Sequence, residues 1–334
     1  MGSASSIANK TYSPVLVQFR SAGKLICSST SANTKTPADV PECVYNKLIE
    51  EQELRCCRDN NVTELCALMA ANRNGNAGKL NDLTQCLVVA GYHGSLDVLR
   101  KLLKVDGVAE VLDDNDTAIS LFQRIIESSQ NIKTKASVVQ LLLNANANVN
   151  ATDTHGIFGD TGVTGIWMAS QAGHVDVVRE FIKAKADVNV TDTENGMTSL
   201  RAAFFEGHLD VVRELVRGKA DVDAVDSKST KTCLYLASKK SDLDTMRELV
   251  ELGADVNSKT TRKGWTSLMA ATMCGKLDVV RTLVELKADA NVQSHNGSTV
   301  FDISRTQGCI CRNEIMNFLG ACSIRKIITS IVGR

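Results

Sequence analysis

One spacing governs what this chain can fold into: short phrases return every 34 residues. Ala-Asp-Val-Asn at Ala186–Asn189 comes back as Ala220–Asp223, Ala254–Asn257 and Ala288–Asn291, with small changes. A second phrase, GHVDVV from Gly173, returns as GHLDVV from Gly207, SDLDTM from Ser241 and GKLDVV from Gly275. Its acid therefore stands at Asp176, Asp210, Asp244 and Asp278. Degenerate copies lie upstream: GSLDVL from Gly94, NNVTEL from Asn60, and a looser ASVVQLLLNANANVN from Ala136 with extra residues on both sides. NEIMNFL from Asn313 is a last, divergent copy. A fixed period of this length is the mark of a stack of identical small units rather than one compact core. The copies add up to about eight helix-turn-helix units.

The stretch from Gly196 to Asp226 shows what one unit does. Thr198 can cap a short first helix with its hydroxyl. Leu200, Ala202 and Ala203 give that helix small apolar surface. Gly207 supplies the positive φ that ends it. Val211, Val212, Leu215 and Val216 fall at i, i+1, i+4 and i+5, an apolar stripe on a second helix. Gly218 is expected to close that helix, and Asp221 to Asp226 form an extended excursion. Neither stripe can be buried inside one unit, so stacked neighbours must share them.

These residues resemble the ankyrin repeat, a helix, turn, helix and projecting hairpin. The motif Gly-x-Thr-Pro-Leu-His is met in part by Gly196-Met197-Thr198-Ser199-Leu200-Arg201 and by Gly264-Trp265-Thr266-Ser267-Leu268-Met269. The proline is missing from every copy and the histidine is replaced, which predicts weaker helix starts. The hairpins before residues 196, 230 and 264 are one residue longer than the family spacing. The expected architecture is an all-α ankyrin solenoid with projecting hairpin loops over 39–322, most regular at 160–300. It would be flanked by a disordered basic arm at 1–38 and a capping tail at 323–334.

Composition excludes several classes. Lys+Arg and Asp+Glu are both 38, so no global field points to nucleic acid or a membrane surface. The 11 cysteines follow no ligand or disulfide grammar and read as reduced core thiols. No phosphate-cradling loop, nucleophile elbow or zinc-protease motif is present. The five histidines, His93, His155, His174, His208 and His295, do not converge; His174 and His208 hold the same position in neighbouring units. The chain is therefore expected not to be an enzyme, and to need no cofactor, metal or small-molecule substrate.

The flanks carry their own signals. Residues 1–38 hold Lys10, Arg20, Lys24 and Lys35 and no acid, and Met1-Gly2-Ser3-Ala4-Ser5-Ser6 fits the myristoylation pattern on Gly2. A transit peptide and a plain disordered arm fit the same composition. The tail from Ser323 places Ile324, Ile327, Ile328 and Ile331 at helical spacing, suited to covering the last repeat. The expected setting is cytoplasmic, with membrane association only through Gly2.

The resemblance implies that partners meet the hairpin tips and the inner, concave face of the first helices. Residues at those positions are Val163, Trp167 and Gln171; Met197, Arg201, Phe205 and Glu206; Lys228, Lys231, Tyr235, Lys239 and Lys240; and Arg262, Lys263, Trp265, Met269 and Met273. Large aromatics and methionines at such positions mark contact surfaces; Trp167 and Tyr235 can equally replace the motif histidine and pack on the next hairpin. Charge runs from acidic (Asp192, Glu194, Glu206) to basic, since 227–241 and 256–277 contain no acid. The expected partner is a protein with an apolar anchor beside an acidic stretch, docked near Trp265, and the chain alone is a monomer. Two other functions compete: a structural subunit of a permanent assembly, tethered by its arm, and a binder of acidic ligand or nucleic acid through the lysine-rich hairpins. Asn257, eight residues after Leu249 in an Asp-Val-Asn context, also resembles an ankyrin asparagine-hydroxylation site, or serves as a structural hairpin Asn.

Overall fold

The computed structural model describes residues 51–66, 83–153, 162–225, 230–305 and 313–321, and the backbone of 16–20 and 24–28. The last two segments are strands β1 (Leu16–Arg20) and β2 (Lys24–Ser28), an antiparallel ribbon pairing Leu16 with Ser28. The ribbon lies inside the arm expected to be unstructured, so that expectation is corrected for those ten residues. Val17 and Phe19 alternate with Gln18 and Arg20, the period that a strand favours.

The chain divides into two compact units, 1–108 and 109–334. In the first, helices α1 (51–58), α2 (62–66), α3 (Leu83–His93) and α4 (Leu96–Leu102) form two pairs. Asn60 takes a positive φ of 53° and accepts hydrogen bonds at Oδ1 from the backbone amides of Asp97 and Val98, closing the start of α4. Cys56 and Cys57 are buried in this unit. Burial first, then Glu64, pushes the Cys56 thiol up to about 12, so it packs as a neutral apolar group.

A short extra helix, α5 (Val108–Asp113), starts at the division, and the second unit continues in six pairs. They are α6 (Asn115–Glu127) with α7 (Ile132–Asn144), α8 (Gly165–Gln171) with α9 (Val175–Lys183), and α10 (Ser199–Glu206) with α11 (Leu209–Arg217). Next come α12 (Cys233–Lys240) with α13 (Leu243–Glu251), α14 (Ser267–Met273) with α15 (Leu277–Glu285), and α16 (Val300–Arg305) with α17 (313–321). Among the described residues the pairs number eight, as the period requires.

Thr164, Thr198, Thr232 and Thr266 each cap a first helix, the hydroxyl accepting from the amide three residues on. Gly207 ends α10 with φ 82°. Gly218 differs from expectation: its φ is −75°, and the left-handed residue is Lys219 at 71°. Gly218 instead lies close under Ile182: a Cβ there would come 2.9 Å from the end of that side chain. Val211, Val212 and Leu215 are fully buried, with Leu200 and Ala203 beside them in the core.

Neighbouring units are tied at three levels. Helices lie against their counterparts one repeat on, α7 on α9, α8 on α10, α12 on α14. On the second helices an ion-pair ladder climbs one repeat per step: Arg179 to Glu214 at 3.1 Å, Arg213 to Glu248, Arg247 to Glu285 at 3.8 Å. Arg281 ends it over the Phe318 ring, 5.7 Å from the centroid. At the hairpins, Asn150, Asn189, Asp223 and Asn257 each accept, through a side-chain oxygen, the amide of Asp187, Asp221, Asp255 and Asp289 in the next unit, at 2.8–2.9 Å.

The missing proline leaves a trace. Ser267 is fully buried at the first position of α14, and its hydroxyl has no partner. Thr266 before it has ψ 165°, the extended conformation proline demands of its predecessor. Ser267→Pro should therefore raise stability by about 0.5–1 kcal/mol, read from urea melts. Gly165 holds the same position in α8, but a Cβ there would stand 2.6 Å from Phe181, whose ring meets Phe122 edge-on. Gly165→Ala should lose about 1–3 kcal/mol.

His174 sits between units, its Nε2 2.9 Å from the Lys135 ammonium and 3.3 Å from the Ile126 carbonyl, while Lys135 also donates to that carbonyl at 2.6 Å. The ring accepts from Lys135 when neutral. Burial, then the Lys135 charge, holds its pKa below 6.5. The unfolded chain takes up the proton first, so stability present above pH 6.5 falls as pH drops through that value toward the folded pKa. Thermal melts from pH 7 to about 5 should show wild type losing roughly 0.5–1 kcal/mol that His174→Gln keeps, a range allowing for screening of a half-exposed ring.

Candidate functional site

The threonine caps fix where each first-helix side chain goes. The residue three after the cap aims along the stack at the next hairpin. Trp167 Nε1 donates to the Met197 carbonyl at 3.1 Å, and the Arg201 guanidinium donates to the Lys231 carbonyl. Both acceptors directly precede the next cap, so Trp167 and Arg201 do the joining work at the motif-histidine position. Arg201 is only 1% exposed, and so is Met269 at the same position in α14. Both were expected on the contact surface; both belong to the core, because this register turns the side chain into the stack and away from the face.

Six residues after the cap stand Ser170, Phe204, Ser238 and Thr272, all buried. Ser170 and Ser238 bond back to the carbonyls of Ile166 and Leu234. Phe204 is the large exception, and α10 and α12 approach each other less closely than the other neighbouring first helices of the regular repeats. Side chains bridge that junction. Lys240 lies over the rings of Phe204 and Phe205, 5.7 and 5.8 Å from their centroids, and Arg201 over Phe205 at 5.2 Å. Phe205 is 42% exposed, a large apolar group on the open face.

The inner face has two different ends. Between α6, α8 and the hairpin at 190–198 runs a groove of about 470 Å³. Its apolar lining includes Ile126, Val163, Trp167, Met168 and Met197, and its polar lining Gln123, Glu127, Gln171, Asp192, Glu194 and Asn195. Asp192 is 95% buried; it takes the Asn195 amide at Oδ1, and its own backbone closes the hairpin through Met197 and Gly196. Toward α12 and α14 the face is basic and aromatic. Lys231 lies over Tyr235 at 5.9 Å and Lys263 over Trp265 at 5.1 Å, while Lys276 donates to the Lys239 carbonyl. Burial, then Cys274, pushes the Tyr235 phenol up, so it stays neutral. The recess at Trp265 holds only about 60 Å³. The larger of the two cavities thus lies at Trp167, and the smaller at Trp265, where docking is expected from the sequence.

Of the remaining expected contacts, Gln171, Phe205, Glu206, Lys239, Lys240, Arg262 and Lys263 are exposed, and Trp167, Met197, Lys231, Tyr235, Trp265 and Met273 half-buried. Lys228, Gly2 and the tail from Ser323 lie outside the described residues. Asn257 is half-buried, its carboxamide oxygen engaged by the Asp289 amide. Gln123, Ile126 and Glu127 were not foreseen; α6 lies in the irregular copy, where the period gives no register. Among the described residues no group of His, Cys, Asp or Glu could hold a metal, and no helix is long and apolar enough to cross a membrane.

Comparison with known proteins agrees with this geometry. The family model for ankyrin repeats (3 copies) matches residues 125–226 and 218–294, together just over half of the chain. The crystal structure of the ankyrin repeat domain of Bcl-3, described as a unique member of the IkappaB protein family, is 26% identical with a TM-score of 0.56. The match covers 68% of this chain and 97% of that one. No curated protein matches the sequence.

The burial of Arg201 has a direct consequence. Arg201→Ala should cost about 2–4 kcal/mol in a denaturant melt, because it leaves the Lys231 carbonyl without its donor and opens a gap between repeats. Phe205→Ala, on the open face, should cost less, about 1–2 kcal/mol, since it removes the ring contacts with Arg201 and Lys240 but leaves the Lys231 carbonyl paired.

Proposed function

Since this chain belongs to the ankyrin-repeat family and is a protein-interaction module, we propose that it is an adaptor or inhibitor that captures a client on the inner face of α8, α10, α12 and α14. The observation that carries this is the face itself: an apolar groove at Trp167, an exposed Phe205, and a strip of lysines lying over aromatic rings. Such rings offer apolar area at small entropic cost, and the lysines lie where an acidic segment would meet them. The client supplies an apolar anchor for the groove and an acidic stretch for the strip. Neighbouring first helices in such a stack stand about 10 Å apart, so groove and strip are separated by about 20–30 Å, the length of roughly six to nine extended residues. The chain works as a monomer that takes up one client, in a cytoplasmic setting where its free thiols stay reduced.

Lys239 and Lys240 end α12, both exposed, and no acid pairs with either among the described residues. The double change Lys239→Glu, Lys240→Glu should weaken client capture about tenfold or more while leaving the helical spectrum unchanged. Wild-type capture should fall as salt rises, since exposed charges are screened beyond about 8–10 Å. Capture measured by native pull-down that is indifferent to both salt and the double change would remove the basic strip from the working surface.

A further inference from the structure

The proposed function leaves open what chemistry the Trp167 groove selects. Asp192 forms part of its wall and is 95% buried. Glu127 lines the opposite side from α6, with Gln123 donating to its Oε1 at 2.9 Å. Among the described residues no lysine, arginine or histidine pairs with either carboxylate. Asp192 is enclosed with only an amide donor and Glu127 stands exposed at the rim, so neither has a cation from the described residues beside it. Beside them stand the Trp167 indole, half-exposed, and the thioether side chains of Met168 and Met197. An indole and a carboxylate along one apolar groove suit a group that is cationic at its tip and aliphatic along its stem.

Other features of the molecule carry less. Cys274 is exposed beside Tyr235, but nothing there points to a ligand. The recess of about 250 Å³ on the second helices, between α7 and α9, has no charge pattern that selects an occupant. The Lys135–His174 contact is internal to the stack.

We infer that the Trp167 groove takes a lysine or arginine side chain of the client, so that the bound segment is bipolar, with its basic end at α6 and α8 and its acidic end at α12 and α14. This rests on the inner-face reading above and adds to it a direction. A segment laid the other way would put its acids against Asp192 and Glu127 and its base against Lys231, Lys239 and Lys263.

The test uses the full-length chain with Trp265→Phe, which leaves Trp167 as the sole indole. Two synthetic peptides are titrated in. One carries Arg-Leu, a six-residue Gly-Ser spacer and four Glu; the other is the same with citrulline in place of Arg. The first peptide should bind at least tenfold more tightly and shift Trp167 emission. Its advantage should vanish when Glu127→Gln and Asp192→Asn are added, changes that keep hydrogen-bonding oxygens in place. Equal binding of the two peptides, or an advantage that survives those changes, overturns the cation assignment alone, provided that binding still depends on salt and on Lys239 and Lys240. If neither peptide binds, both the inference and the inner-face reading fall.

Discussion

A pair of short helices with a one-sided apolar stripe has no interior of its own, and everything else in this molecule follows from that. Val211, Val212 and Leu215 become fully buried because α9 of the preceding repeat, together with α10, packs against their helix. The same dependence reaches the hairpins. Each Asn or Asp at the end of the Ala-Asp-Val-Asn phrase accepts the amide of the first Asp in the next copy, and that Asp in turn accepts the amide two residues on. A repeat therefore inherits its register from two sources, the apolar stripe and this ladder of amides. Both fix the spacing between copies, which is why the period survives where the rest of the sequence has diverged.

Inside that frame one junction departs from its neighbours. Phe204 replaces the small Ser170, Ser238 or Thr272, and α10 and α12 stand further apart. Arg201 and Lys240 close the difference with cation–ring contacts and a bond to the Lys231 carbonyl. Each such contact contributes about 0.5–2 kcal/mol, more where it is desolvated, as at Arg201. Phe205 and Lys240 stand exposed on the open face beside Phe204. On the proposed reading, this irregular junction is part of the interaction surface.

Much of the fold could be read from the residues alone, because a helix cap or an apolar stripe is a local matter. Thr198, Gly207 and the Val211–Leu215 stripe act as their spacing predicts. What escaped depends on the neighbouring repeat. Gly218 looked like a helix stop, yet it lies close under Ile182, and Lys219 carries the turn. Arg201 and Met269 looked like contacts because their position is exposed on an isolated helix; the next hairpin covers it. The arginine ladder at 179, 213, 247 and 281 was written in the period, but its partners Glu214 and Glu248 only become meaningful once the second helices are known to stack. The groove is the hardest case. A quarter of its lining comes from α6, which sits in the copy with inserted residues, so no repeat position announced Gln123 or Glu127.

In the inferred binding mode, the separation of charge along the inner face is what makes binding directional. Apolar contacts at Trp167 and Phe205 would hold a segment in either sense, since area has no polarity. Lysines over rings at one end and buried Asp192 at the other differ in sign, and a like-charge meeting at either end is costly where water is excluded. The two ends are also built differently. Lys239, Lys240 and Lys263 are exposed, so they steer and are screened by salt. Asp192 is enclosed and held by the hairpin's own amides, so its field is fixed before anything arrives. In that binding mode, orientation is therefore decided mainly at the acidic end, by the group with least freedom to adapt, while the basic end governs how fast a segment is drawn in.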